Sequence, residues 1–156
     1  YRQLAESWAS DYRQAQVRLD REVESLPQDT PVLLLGWENH FTLPFLDTLA
    51  DYPLKQTDGG LELWQQAYSV QAHSFALTTR PEQAQTRVWI ASKNPQSLPG
   101  LTRKLPHYGK YSALSFAGDA PDNRLKRQWP ISDSPLSVSF TAQAPPPLQE
   151  PAPLAQ

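Results

Sequence analysis

Apolar residues recur at steps of three or four from Leu4 through Trp8, Tyr12, Ala15, Leu19 and Val23 to Leu26, with Arg, Asp, Gln and Glu filling the positions between. A stripe of that period predicts one amphipathic helix over residues 1–26. Pro27 closes it, because the residue before a proline is biased out of the helical region. A helix of this length at the start of the chain also suits a connector to a preceding domain.

The pattern changes after Pro31. Val32-Leu33-Leu34-Leu35 is short, continuously apolar and ended by Gly36, which predicts a strand buried on both faces, as in a parallel sheet. Thr42 is then placed to cap a helix that turns Phe45, Leu46 and Leu49 inward and ends near Asp51 and Pro53. Asp58-Gly59-Gly60 marks a turn before a short strand at Leu61 to Trp64. Phe75, Leu77 and Thr79 alternate with Ser74, Ala76 and Thr78, so residues 67–79 read as β, and Val88 to Ala91 as a neighbouring strand, with antiparallel pairing open. Asn94-Pro95 has the form of a helix start. Leu98, Leu101 and Leu105 give that helix an inner side, Pro99 and Gly100 make it irregular, and Pro106 ends it. Tyr111 to Phe116 is the next strand, and Gly118-Asp119-Ala120-Pro121 turns the chain away.

Residues 122–140 hold a few apolar anchors, Leu125, Trp129, Leu136, Val138 and Phe140, among prolines. From Gln143 onward the chain is a proline-rich tail that cannot build a core. The order helix, strand, helix, strands, helix, strand predicts an α/β fold: an open, mostly parallel twisted sheet with helices on both faces, Rossmann- or flavodoxin-like. Residues 1–142 form the domain, residues 1–26 its long N-terminal helix and residues 143–156 the tail. The five tryptophans are spread along the domain and are assigned to its core.

Composition narrows the function classes. The chain has 156 residues, one domain's worth. A net charge of -2 and a pI near 5.9 argue against a nucleic-acid binder, which carries a basic excess. Absence of cysteine excludes disulfides, thiolate metal sites and a cysteine nucleophile. Sixteen prolines, about twice ordinary usage, make several connections stiff. No apolar run approaches the roughly 20 residues that span a bilayer. A chain beginning at Tyr1 and lacking methionine reads as an excised piece or processed product, leaving room upstream for a signal peptide, an anchor or a catalytic module.

In open α/β sheets ligands gather outside the carboxyl ends of the strands. Two loops would land there: Gly36 to His40, and the region after Ala91. Glu38 and His40 have the chemistry of an acid–base pair or of metal ligands. They equally suit an ordinary loop at a helix start, with Trp37 packed and Asn39 bonding backbone. A zinc site from His40, His73 and His107 lacks the H-E-x-x-H spacing that places two imidazoles on one helical face. There is no G-x-S-x-G elbow, no serine with an evident local base, and no glycine pattern able to cradle phosphate.

The densest chemistry lies in Leu98 to Ser112, LPGLTRKLPHYGKYS, where Arg103, Lys104, His107, Tyr108, Lys110 and Tyr111 surround Pro106 and Gly109. These cations can grip a carboxylate or phosphate through charge-assisted bonds. Alternatively the segment is a helix exit, where cations favour the negative dipole end and tyrosines pack with their hydroxyls outward. The candidate binding or docking residues are therefore Trp37, Glu38, Asn39, His40, Arg103, Lys104, His107, Tyr108 and Lys110. No catalytic residue and no metal ligand is assigned.

Several islands together resemble a known family. GWEN at Gly36 to Asn39, HSFALTTR at His73 to Arg80 and VWIA at Val88 to Ala91 are the shorter ones. The longest is LPGLTRKLPHYGKYSALSF, followed by Asn123, by QWP at Gln128 to Pro130 and by SPL at Ser134 to Leu136. In this order they are similar to the C-terminal portion of bacterial zinc metallopeptidases of the aminopeptidase N (membrane alanyl aminopeptidase, gluzincin) family. Arg127, where the family pattern has glycine, and Ala113, where it has an aromatic residue, depart from it. The resemblance implies a bacterial parent, exported or membrane-associated on the periplasmic side, whose upstream module carries H-E-x-x-H and the zinc. This chain would then be a non-catalytic accessory domain serving stability or docking, without cofactor, partnered by upstream domains of the same polypeptide. The alternatives are a module that binds a peptide or small anion at the strand ends, and an α/β enzyme whose site has no recognisable motif.

Overall fold

The computed structural model describes residues 1–11 and 14–131. Tyr12, the anchors Leu136, Val138 and Phe140, the SPL island and the proline-rich tail lie outside the described residues.

Eight strands and three short helices make up the described chain. Helix α1 spans Arg2–Ser10, β1 Val32–Leu35 and α2 Thr42–Asp47. Three short strands follow, β2 Leu54–Thr57, β3 Gly60–Leu63 and β4 Gln66–Ser69. Then come β5 His73–Thr79, β6 Arg87–Ala91, α3 Leu98–Lys104, β7 Ala113–Ala117 and β8 Asp122–Arg127. Short 3-10 turns flank α3 at Pro95–Ser97 and Leu105–Tyr108. No helix of the described residues is long and apolar enough to cross a membrane.

The fold is mostly β, which corrects the predicted open parallel α/β sheet. The main sheet has the order β1-β6-β5-β7-β8. Only β1 and β6 pair in parallel; β5 is antiparallel to both β6 and β7, and β7 to β8. A separate antiparallel sheet, β2-β3-β4, takes up the predicted strand at Leu61 to Trp64 as β3; the predicted β run 67–79 divides into β4 of this sheet and β5 of the main one, and β2 was not predicted. The prediction failed because it assigned the parallel character of β1 to the whole sheet. Between β5 and β6 the chain returns through a short polar loop, Arg80 to Thr86, too short for the helical crossover that parallel neighbours require.

The predicted 26-residue helix is also corrected. Helix α1 ends at Ser10, residues 15–19 carry no regular structure, and only a 3-10 turn follows at Asp20–Glu22. The apolar stripe that suggested one helix serves two different cores. Leu4 is buried and Trp8 packs beside Leu35, Ile90 and Leu101 on one face of the main sheet. Val23 and Leu26 pack with Phe45, Phe75 and Trp89 on the other. The chain crosses from one face to the other in between, which a straight helix cannot do. Val17 and Leu19, near the crossing, are exposed.

Those two cores define three layers. Alternate residues of β5, β6 and β7 point to opposite sides. Phe75, Leu77, Trp89 and Ala113 face α2 and the small sheet, whose Leu61, Leu63 and Tyr68 complete that cluster. Ala76, Ile90, Leu114 and Phe116 face α1 and α3, with Leu101 fully buried between them. Edge strand β1 is less covered than a strand buried on both faces would be, since Leu34 is buried and Leu33 is exposed.

Candidate functional site

Gly36 ends β1 with φ +104, a left-handed conformation that favours glycine, and so aims the next residues across the sheet end. Its carbonyl accepts the Trp89 indole N–H at 3.0 Å and the Thr42 hydroxyl at 3.4 Å. Thr42 therefore does not cap the helix, contrary to the prediction; Phe41 holds that position, and the Thr42 hydroxyl is buried beneath the loop. Trp37 folds back onto the core, 5.2 Å from Trp89 and 5.8 Å from Phe75 between ring centroids. Asn39 closes the turn locally: its amide donates to the Leu35 carbonyl, and its carbonyl oxygen accepts from the Phe41 N–H. The His40 backbone N–H donates to Asp20 Oδ2 at 2.8 Å, and that bond holds the Asp20 carboxyl below its ordinary value. Glu38 is exposed and reaches Lys93 Nζ at 3.4 Å.

This sheet end borders an open cleft of about 620 Å³. Trp37 and Lys93 line one side, and the β2–β3 turn (Gln56, Thr57, Asp58, Gly59) and the end of β4 (Ser69, Val70, Gln71) the other. The strand-end rule pointed to Trp37 and to the region after Ala91, where Lys93 sits. Gln56, Asp58 and Gln71 were missed, because only the fold of the small sheet brings them there. The cleft offers one indole, the exposed amides of Gln56 and Gln71, the Asp58 carboxylate and the Lys93 ammonium.

The basic segment 103–111 lies elsewhere. Helix α3 packs on the face opposite Trp37, and its exit leads to the sheet end where β7 begins, whereas Trp37 to His40 follow the end where β1, β6 and β7 finish. The structure therefore does not bring Arg103, Lys104 and His107 together with Trp37, Glu38 and His40. Lys104 Nζ donates to the Pro121 carbonyl at 2.6 Å. Tyr108 stands edge-on to Phe116 at 5.6 Å and 6.0 Å from Tyr111. Lys110 lies over the Tyr111 ring at 5.3 Å, and its carbonyl accepts from Gln128 Nε2 at 2.7 Å. Arg103 and His107 are exposed.

Three buried hydroxyls form a further cluster that sequence reasoning missed. Ser74, Ser92 and Ser97 lie 2.9–3.1 Å from one another beside the Asn94 turn. Tyr1 closes the cluster, donating to the Ser92 carbonyl at 2.7 Å and accepting the Ser92 N–H. Burial pushes the Tyr1 phenol up, against the lowering effect of its bond to Ser92. Among the described residues these hydroxyls bond to one another and to the backbone, and with Tyr1 they tie the N-terminus, β5 and the Asn94 turn together.

His40, His73 and His107 occupy three separate elements, and no group of three or more His, Asp or Glu side chains able to hold a metal ion occurs among the described residues. The His73 ring instead sits 3.1 Å from the Ser69 carbonyl and edge-on to Tyr68. Fold and site thus define a three-layer, mostly β domain with a polar cleft at the strand ends beside Trp37 and a basic surface at its α3–β8 side. Comparison with known proteins adds no relative: no family model, curated protein or solved structure matches the chain.

Proposed function

We propose that the chain is a non-catalytic accessory domain of an aminopeptidase-N-like zinc metallopeptidase, serving stability or docking beside a catalytic module that holds the zinc. The parent would be bacterial and exported or membrane-associated. One observation carries the reading: the longest island that resembles the family, with Asn123 and the QWP island that follow it, holds one packing unit together. Gly100 lies against Pro121, Lys104 bonds the Pro121 carbonyl, and Tyr108 meets Phe116. Asn123 Nδ2 donates to the Leu125 carbonyl at 2.9 Å, Gln128 to Lys110, and the Trp129 indole N–H to the Thr78 carbonyl at 2.7 Å. A pattern engaged in this way marks a fold unit, since the Lys104, Asn123, Gln128 and Trp129 donors are committed to backbone partners.

The test measures metal content by mass spectrometry and release of 4-nitroaniline from alanyl-4-nitroanilide, in this chain alone and in a longer polypeptide that joins it to an H-E-x-x-H module. Zinc and cleavage are expected only in the longer polypeptide. Stoichiometric zinc, or hydrolysis by the chain alone, would sink the reading.

A further inference from the structure

The charge of this protein is unevenly distributed. Between Arg103 and Arg127 stand six of its fourteen Lys and Arg residues but only two of its sixteen acidic residues, Asp119 and Asp122. The fold draws most of these cations into one surface; Arg127, which pairs with Ala113 of the larger core, stands on the other side of the sheet. Lys104 sits over Pro121 at one end of β8, and Lys110 beside Gln128 at the other. Lys126 pairs with Leu114, whose side chain belongs to the α3-side core, so Lys126 stands on the same side as α3. Arg124 is the extra residue of a bulge, because Ser115 pairs with Leu125 and Phe116 with Asn123. The strip follows six residues of strand, about 20 Å. Among the described residues no carboxylate forms an ion pair with any of the six cations.

Charges and a bulge on a terminal strand also protect it from edge-to-edge pairing. That need is met by either sign of charge and stops at the strand. Here one sign continues past β8 onto α3 at Arg103 and onto the turn at Lys110, where there is no edge to protect. Like charges gathered without partners repel one another, and a complementary surface relieves that repulsion and steers association.

The geometry points to this strip as a docking surface for an acidic stretch of polypeptide, which deepens the docking reading above and rests on it for the partner's setting. A bilayer fits less well, because none of the large exposed apolar side chains lies between Arg103 and Arg127 to enter it. A nucleic-acid duplex fits less well too. It extends past the strip, and the rest of the chain holds fourteen acidic residues against eight cations.

The test titrates the chain with poly-L-glutamate, with phosphatidylglycerol vesicles and with duplex DNA, at low and at physiological salt. Saturable binding of poly-L-glutamate that weakens as salt rises is expected. The pair Arg103→Glu and Lys126→Glu should weaken it at least tenfold, and Lys55→Glu, on the small sheet, less than twofold. Circular dichroism checks folding; if the reversed pair unfolds, Arg103→Gln with Lys126→Gln takes its place, with a loss of several-fold expected. Absence of saturable binding, an equal loss in Lys55→Glu, or tighter binding of vesicles or DNA would each overturn the proposal. None of those results touches the zinc and cleavage test, so the two readings fail separately.

Discussion

Ser115 is fully buried in β7, and its hydroxyl has no partner among the described residues. It lies between Phe75 and Leu125 in the register, on the side of the larger core. Desolvating a hydroxyl without giving it a hydrogen bond costs roughly 1–3 kcal/mol. Ser115→Ala removes that cost and takes away little volume, so the urea midpoint should rise, by about 1 kcal/mol in stability. A fall of similar size would show that the hydroxyl has a partner. Roles at this scale were only partly legible in the sequence. Asn94 as a cap and Asn39 as a backbone-bonding turn residue follow from local chemistry, and the Asn94 side chain does accept from the Gln96 N–H. Thr42 looked the same locally, yet its hydroxyl is engaged by Trp89, 47 residues away in sequence, at 3.2 Å.

Among the elements, α3 depends on a single missing side chain. A Cβ at Gly100 would fall within 2.7 Å of Pro121 Cγ, and the Pro121 ring is rigid and fully buried. Helix propensity alone favours alanine by roughly 1 kcal/mol. Overpacking against a rigid neighbour costs about 1–3 kcal/mol and wins. Gly100→Ala should therefore lower the melting temperature, and Pro121→Ala in the same chain should recover part of the loss. A higher melting temperature for Gly100→Ala alone would refute the contact. Sequence alone made Gly100 an irregularity, because Pro121 is brought there by the β7–β8 hairpin. Other elements were hidden for different reasons. Strand β8, DNRLKR, buries only Leu125 and shows no apolar alternation. The β3–β4 turn uses Trp64 and Gln65 at φ 49 and 66, where the usual signal is Asn-Gly. The Trp64 ring stacks on Trp129 at 5.1 Å, a distant contact that favours this conformation.

At the scale of the whole molecule, both cores are built on the same strands. Trp89 and Ile90 are adjacent in β6 and belong to opposite clusters, as do Phe75 and Ala76 in β5. Neither face can lose its packing without disturbing the strands that carry the other, so unfolding should be a single cooperative transition. Tryptophan fluorescence, weighted to the larger core, and far-ultraviolet circular dichroism should give coincident denaturant curves. A fluorescence change that comes first would show the β2–β4 layer opening by itself. The sequence alone determined where strands β1, β3, β5, β6 and β7 lie, the capped Asn94 turn that leads into α3, and which strand-end loop reaches the cleft, because each follows from local periodicity or turn chemistry. Only the tertiary structure decided that the sheet is mixed, that the N-terminal stripe divides between two cores, and that the indole of Trp37 and the cations of α3 stand on opposite faces. Those outcomes depend on strand order and on which face each segment crosses to, and pairings between residues distant in the chain leave no trace in a local pattern of apolar and polar positions.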